Sequence, residues 1–234
     1  MKEIYNSLEK EINMPDYGIF DVMGPIMIGP SSSHTAGAAR IGRLAKKICG
    51  KDFIKVVFHL HGSFAQTYMG HGTDKALVGG ALGMMPDDEN IKYSFEIAKE
   101  RNIEFVFEEE DLGDVHPNSV RVVMYYEDGR VSYVIGSSIG GGNIKIVDID
   151  GLKIDFTNVF PTLILKYEDQ KGIISFVSTL LAENEYNIEK MITEKNGNVV
   201  TLLVEISEEL TEEIKAKVLH NERFILTKYI SGDY

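Results

Sequence analysis

The stretch Pro161–Ile206, PTLILKYEDQKGIISFVSTLLAENEYNIEKMITEKNGNVVTLLVEI, decides how the second half of the chain folds. Pro161 to Tyr167 is apolar and β-branched, which predicts a strand. Glu168-Asp169-Gln170-Lys171-Gly172 reads as a turn, and a helix is expected from about Ile173 to Asn184. Asn187 to Thr193 predicts a second strand. Asn196-Gly197 is a strong short-range hairpin signal, and Val199 to Ile206 returns as a third strand. Outward from there, Glu208 to Leu219 predicts a helix and Phe224 to Tyr229 a last strand. The resulting order, β-α-β-β-α-β, is the ferredoxin-like arrangement. A boundary is placed near residues 150–158, so the expected units are 1–152 and 158–234.

The first unit has a different rhythm. Residues 1 to about 20 read as a short polar helix and a turn. Ile41, Leu44, Ala45 and Ile48 recur at helical spacing, with Arg40, Arg43 and Lys47 on the opposite face. Lys55 to Gly62 alternates like a strand, with Val56, Phe58 and Leu60 on one side and Val57, His59 and His61 on the other. A helix is expected from about Lys75 to Met84, capped by Thr73 or Asp74, and broken by Pro86-Asp87-Asp88. Ile91 to Arg101 reads as helical and Ile103 to Phe107 as extended. Ser119 to Tyr126 and Val131 to Ile135 form a hairpin about Asp128-Gly129. Ser137 to Gly142 reads as a flexible bend before a strand at Ile144 to Ile149. The expected fold class is α+β, with mixed or antiparallel strands and helices to one side.

Composition narrows the function classes. The chain has 234 residues and a formal net charge of -12, with 44% hydrophobic and 26% charged residues. The acidity is spread over both halves and no basic patch stands out, which argues against nucleic acid as a partner. Cys49 is the only cysteine. It can form no internal disulfide and cannot by itself hold a metal cluster, and a reducing cytoplasmic setting is expected. The opening MKEIYNSLEKEINMPDYGIF has no apolar h-region, so no export signal is expected. The weakly polar run Ala76 to Met85 is too short to span a bilayer.

Chemistry is expected first at Gly29-Pro30-Ser31-Ser32-Ser33-His34-Thr35-Ala36-Gly37. Free N–H groups at a helix start and several hydroxyls make an anion site. The plain alternative, one N-cap serine among solvated neighbours, leaves the other hydroxyls and the imidazole unexplained. His71, in Gly70-His71-Gly72-Thr73-Asp74, is either a general base beside a helix start or a histidine that bonds its own loop. His59 and His61 on one strand face are a weak metal signal, and a half-buried polar face explains them better. His116-Pro117-Asn118 reaches a ligand or closes a turn. Ser137-Ser138-Ile139-Gly140-Gly141-Gly142 offers N–H groups to an anion or merely connects strands. Asp169 and Gly172 sit where a ligand could meet a helix start, though a plain helix-start turn with a convenient glycine explains them slightly better.

Taken together, GPSSSHTAGA (29–38), Gly62-Ser63, GHGTD (70–74), HPNS (116–119) and SIGGG (138–142) resemble, in this order, the iron–sulfur-dependent L-serine dehydratases. More specifically, the chain resembles the β subunit of the two-chain type. The resemblance implies an ASB domain followed by an ACT domain, the latter with an amino-acid ligand expected at Asp169 and Gly172. It implies a lyase that converts L-serine to pyruvate and ammonia, within amino-acid degradation and gluconeogenesis. It places the [4Fe–4S] cluster on a partner α subunit in a heterodimer, with no metal on this chain. The ACT module further implies a homodimer. By the same resemblance, Ser31, Ser32, Ser33, His34 and Thr35 contact the substrate, His71 leads as acid or base with His34 beside it, and His116, Asn118 and Ser138 are further pocket members. The rival expectation is a non-catalytic amino-acid sensor, or a regulatory fragment akin to that of 3-phosphoglycerate dehydrogenase.

Overall fold

The computed structural model describes residue 27 and residues 29–232, so the short helix expected over residues 1 to about 20 lies outside the described part. Ser32–Gly37 forms a π-helical turn that runs directly into α1 (Ala38–Cys49). There follow β1 (Phe53–Leu60), α2 (Gly62–Thr67), α3 (Thr73–Leu82), a 3-10 turn at Glu89–Tyr93, α4 (Ser94–Glu100), β2 (Glu104–Glu109), β3 (Ser119–Tyr126), β4 (Val131–Gly140), β5 (Asn143–Ile149) and β6 (Leu152–Phe156). The second part contains β7 (Thr162–Glu168), α5 (Ile173–Glu183), β8 (Ile188–Asn196), β9 (Val199–Ile206), α6 (Glu212–Leu219) and β10 (Leu226–Ile230). The class is α+β, with one mixed and one antiparallel sheet.

The first sheet has six strands in the order β2-β1-β3-β4-β5-β6. Only β1 and β2 run parallel; the other neighbours are antiparallel. Alternation in β1 and β3 aims Val56, Phe58, Leu60, Val120, Val122 and Met124 at the helices, and all six are fully buried. α1 lies over β4, β3 and β5 and buries Ile41, Leu44, Ala45 and Ile48, the stripe read from the sequence. α1 and α3 cross at very short range. A Cβ on Gly80 would lie 2.0 Å from the Ala39 carbonyl oxygen, and one on Gly42 would lie 2.5 Å from that of Leu77. Only glycine allows this approach, so the sequence Val78-Gly79-Gly80 sets the helix spacing.

Several elements differ from expectation. Ile91 to Arg101 is not one helix but a 3-10 turn followed by the short α4. α3 begins at Thr73, because Gly72 takes the cap position and the Thr73 N–H returns to the Tyr68 carbonyl (2.9 Å). α6 begins at Glu212, where the Thr211 hydroxyl accepts from the Ile214 N–H. Ser137 to Gly140 is not a flexible bend but the end of β4. The chain reverses at Gly141-Gly142, whose φ values of +59 and +81 suit a tight hairpin turn that side-chain-bearing residues resist. The join between the expected units holds a strand of its own, β6, paired with β5.

The second sheet has the order β10-β7-β9-β8, antiparallel throughout, the strand order of a β-α-β-β-α-β unit. α5 and α6 cover one face through Leu163, Leu165, Leu202, Val204, Val177 and Val218. The opposite face is not free. Ile164, Leu203 and Ile230 are about 1% exposed and belong to the hydrophobic cluster of the first sheet. Lys190 Nζ donates to the Asp155 carbonyl (2.9 Å) across the same join.

Candidate active site

The motifs gather at one end of the six-stranded sheet, where β1 ends, β3 begins and β4 ends. Backbone hydrogen bonds tie their loops together. The Ser63 N–H donates to the Pro117 carbonyl (2.9 Å), the His61 N–H to that of Ser119 (3.0 Å) and the Ser138 N–H to that of Asn118 (2.8 Å). Gly62 makes the first of these possible. Its φ is +54, and a Cβ there would strike the Pro117 oxygen at 2.7 Å.

His34 stands at the centre. The Ser31 hydroxyl accepts from the His34 N–H (3.2 Å) as the cap of the π-helical turn, and lies 3.4 Å from His34 Nδ1. His34 Nε2 is 3.1 Å from Ser63 Oγ. Both ring nitrogens are therefore engaged, and Phe64 packs its ring edgewise on the imidazole at 5.3 Å between centroids. Burial, and then the proximity of His71, hold the His34 pKa below the usual imidazole value, so the ring is neutral near pH 7.

The His71 ring lies 5.1 Å from that of His34, between centroids. It belongs to the turn between α2 and α3 and is exposed. His71 Nδ1 is 3.3 Å from the Thr67 carbonyl oxygen, an acceptor only, so Nδ1 carries hydrogen and the lone pair of a neutral ring sits on Nε2. The Thr35 hydroxyl donates to the His71 carbonyl (3.4 Å), and Thr67 Oγ1 donates to the Ser63 carbonyl (2.8 Å). The two histidine loops thus brace each other. Chemically, the arrangement pairs a positioned neutral imidazole with a second, exposed imidazole bonded through Nδ1 alone, beside a hydroxyl-lined helix start.

Ser31, His34, Thr35 and His71 come together as one group, with Ser32 and Ser33 half-buried in the same turn. Ser138 lies behind them. It is fully buried, its Oγ has no hydrogen-bond partner, and that oxygen occupies the space a Cβ on Gly37 would need. It supports the turn rather than lining an open surface. His116 is exposed, and its Nδ1 accepts from the Asn118 N–H (3.1 Å), a turn-closing bond; Asn118 holds Ser138 through its carbonyl. Ser63 is the residue that motif reading passed over as a partner for His34, since it figured only as half of a glycine–serine pair.

Elsewhere, His59 Nδ1 pairs with Glu110 (2.9 Å) and Glu108 (3.4 Å), and Glu110 also pairs with Arg121, a polar lattice on the sheet face away from the helices. No three His, Cys, Asp or Glu side chains converge as a metal site among the described residues. Asp169 pairs with Lys195, and Gly172 opens α5 beside a cavity of about 420 Å³. No helix among the described residues is long and apolar enough to cross a membrane.

Comparison with known proteins bears directly on this arrangement. A family profile described as serine dehydratase beta chain matches residues 18–148. The L-serine dehydratase beta chain of Peptoniphilus asaccharolyticus is 54% identical over 93% of this chain and 99% of its own length. A probable L-serine dehydratase beta chain of Bacillus subtilis is 38% identical over 84% of this chain and 90% of its own. L-serine dehydratase 2 of Escherichia coli is 31% identical over 54% of this chain, which matches 32% of that longer protein.

Proposed function

The chain belongs to the serine dehydratase β-chain family, and from that premise we propose how its residues serve the elimination of water from L-serine. It acts as the β chain of a two-chain L-serine ammonia-lyase whose other subunit is an α chain. The family implies an iron–sulfur cluster. The residues here do not fit one. Cys49 is the sole cysteine, it is 3% exposed, and burial pushes its thiol up to about 11, whereas a cluster takes several thiolates. We therefore assign the [4Fe–4S] group to the α chain.

What this chain supplies is a wall for the substrate. The N–H groups that open the π-helical turn, with the hydroxyls of Ser31, Ser32 and Ser33, receive the substrate carboxylate, while the buried Thr35 acts from behind by holding the His71 loop through its hydroxyl. His71 Nε2 takes the α-proton. The Cα–H electron pair becomes the Cα–Cβ double bond as the β-hydroxyl departs, and the proton balances its loss as water. The aminoacrylate so formed tautomerises and hydrolyses to pyruvate and ammonia. His34, fixed by Ser31 and Ser63, holds a neutral dipole against the same space. His116 and Asn118 shape its margin, and Ser138 backs the turn.

The observation that carries this reading is the pairing of a doubly anchored His34 with an exposed His71 whose ring is hydrogen-bonded through Nδ1 alone. In the enzyme reconstituted from both chains, His71→Ala is expected to lower kcat by about 10² or more. Near-unchanged turnover removes His71 from the role of base. A sensor has no use for a base, so under that rival reading the same change alters affinity alone.

The second sheet with α5 and α6 we assign to an ACT-type regulatory unit, spanning 158–234, with an amino-acid site at Asp169 and Gly172 and with homodimer contacts. The first unit, 1–152, is then the ASB-type domain, continued by β6. A cytoplasmic setting accords with the single buried thiol.

A further inference from the structure

We propose that a second small-anion site, separate from the histidine pair, lies in the cleft where the two sheets meet. This cleft, of about 660 Å³, lies between α1, the β4–β5 turn and the segment entering the second sheet. Arg40 and Arg43 line it, together with Asn143, Asn158, Ile139 and Val159. No carboxylate lines it among the described residues, although the chain as a whole carries a net charge of -12. A concave, arginine-bearing surface in so acidic a chain concentrates anions.

A second observation is independent of the arginines. Asn158 is 3% exposed and lines the same cleft, yet neither its amide nitrogen nor its amide oxygen has a hydrogen-bond partner. Buried amides are almost always bonded, and an exception calls for a missing partner. Its φ of +60 is a conformation that asparagine tolerates better than most residues, so the backbone holds the amide there at some cost. With its side chain turned toward the cleft, the amide nitrogen would donate to a bound carboxylate and the amide oxygen would accept from the water carried with it.

The mixed lining sets the ligand class. Arginine matches the planar oxygens of a carboxylate or phosphate. Ile139, Val159 and the neighbouring Leu44 add apolar wall, which favours a small organic acid of amino-acid or 2-oxo-acid size over a bare ion. Position gives the site a consequence. Arg40 lies in the first turn of α1, which continues directly from the Ser32–Gly37 turn, and its Nη1 donates to the Gly142 carbonyl (2.9 Å) beside the end of β4. Occupancy pulls on the element that carries His34.

This inference does not rest on the lyase reading, and its test needs no partner chain. Calorimetric titration of the full chain with L-serine, pyruvate and inorganic phosphate, in separate arms, should give saturable binding for at least one organic acid. Arg40→Gln should weaken that binding about tenfold or more, Arg40→Lys less, and Asn158→Asp should oppose it through like charge. His34→Ala and Gly172→Asp should leave it in place. Unfolding midpoints of each variant confirm that it is folded. Phosphate binding with the same Arg40 dependence would keep the site and assign it to phosphate. Absence of binding in every arm overturns the proposal. So does binding that survives Arg40→Gln but is lost with His34→Ala or Gly172→Asp.

Discussion

His34 shows how a few polar contacts set the state of one ring. Its pKa is held low by burial first and by His71 second, so in the folded chain it resists protonation. The unfolded chain then binds a proton more readily, near the free value of about 6.5. Stability from this group is full above about pH 6.5 and is lost as pH falls through the lower folded value. The thermal midpoint should therefore drop on acidification below about pH 6.5, and less so in His34→Gln; parallel curves for the two proteins would refute the account. Ser63→Ala removes the partner of His34 Nε2. We expect kcat/KM of the reconstituted enzyme to fall about tenfold with stability changed by less than about 1 kcal/mol. A large loss of stability with unchanged kcat/KM would make Ser63 merely structural. The serine–histidine cluster could be read from adjacent residues. The Ser63–His34 bond could not, because it spans 29 positions and no spacing rule connects a strand end to a distant turn.

At the scale of the element, adjacent glycines in α3 do different work. Gly80 faces the Ala39 carbonyl, a backbone atom that cannot step aside, whereas a Cβ on Gly79 would meet the movable ends of Ile91 and Met84 at 3.1 and 3.2 Å. Gly80→Ala should destabilise by about 3 kcal/mol through overpacking. Gly79→Ala should be near neutral, its small clash offset by a better helix propensity worth about 1 kcal/mol. Equal denaturation midpoints for the two variants would contradict this picture of the α1–α3 crossing. The stripe of α1 was visible in its period, and so was the alternation of β1. The π-helical turn was not, and Gly37 within it packs directly against Ser138, a neighbour far away in the sequence.

At the scale of the whole molecule, the two sheets share a core. Ile164, Leu203 and Ile230 project from the second sheet into the cluster built on α1 and the first sheet. The chain should therefore unfold in one cooperative transition, and Leu203→Ala should cost about 2–4 kcal/mol and shift every probe together. Two separated transitions, only one of them moved by Leu203→Ala, would show the units to be independent. The exposed side of His71 leaves the proposed pocket open on one flank. Accordingly the chain alone should form no pyruvate from L-serine, and should do so when mixed anaerobically with its α chain; pyruvate from the isolated chain would overturn the two-chain mechanism.

Local pattern by itself determined the strand and helix order of the second unit, the amphipathic α1 and the hairpins, because each follows from the preferences of neighbouring residues; the dehydratase was legible only through the resemblance of its motifs to a known family. Tertiary structure alone decided which hydroxyl meets His34, where Ser138 is hidden, how closely α1 and α3 approach, and that the second sheet presses its far face into the first core. Those outcomes depend on contacts between residues far apart in the chain, whose energies arise only once burial and backbone hydrogen bonding have fixed the loops together.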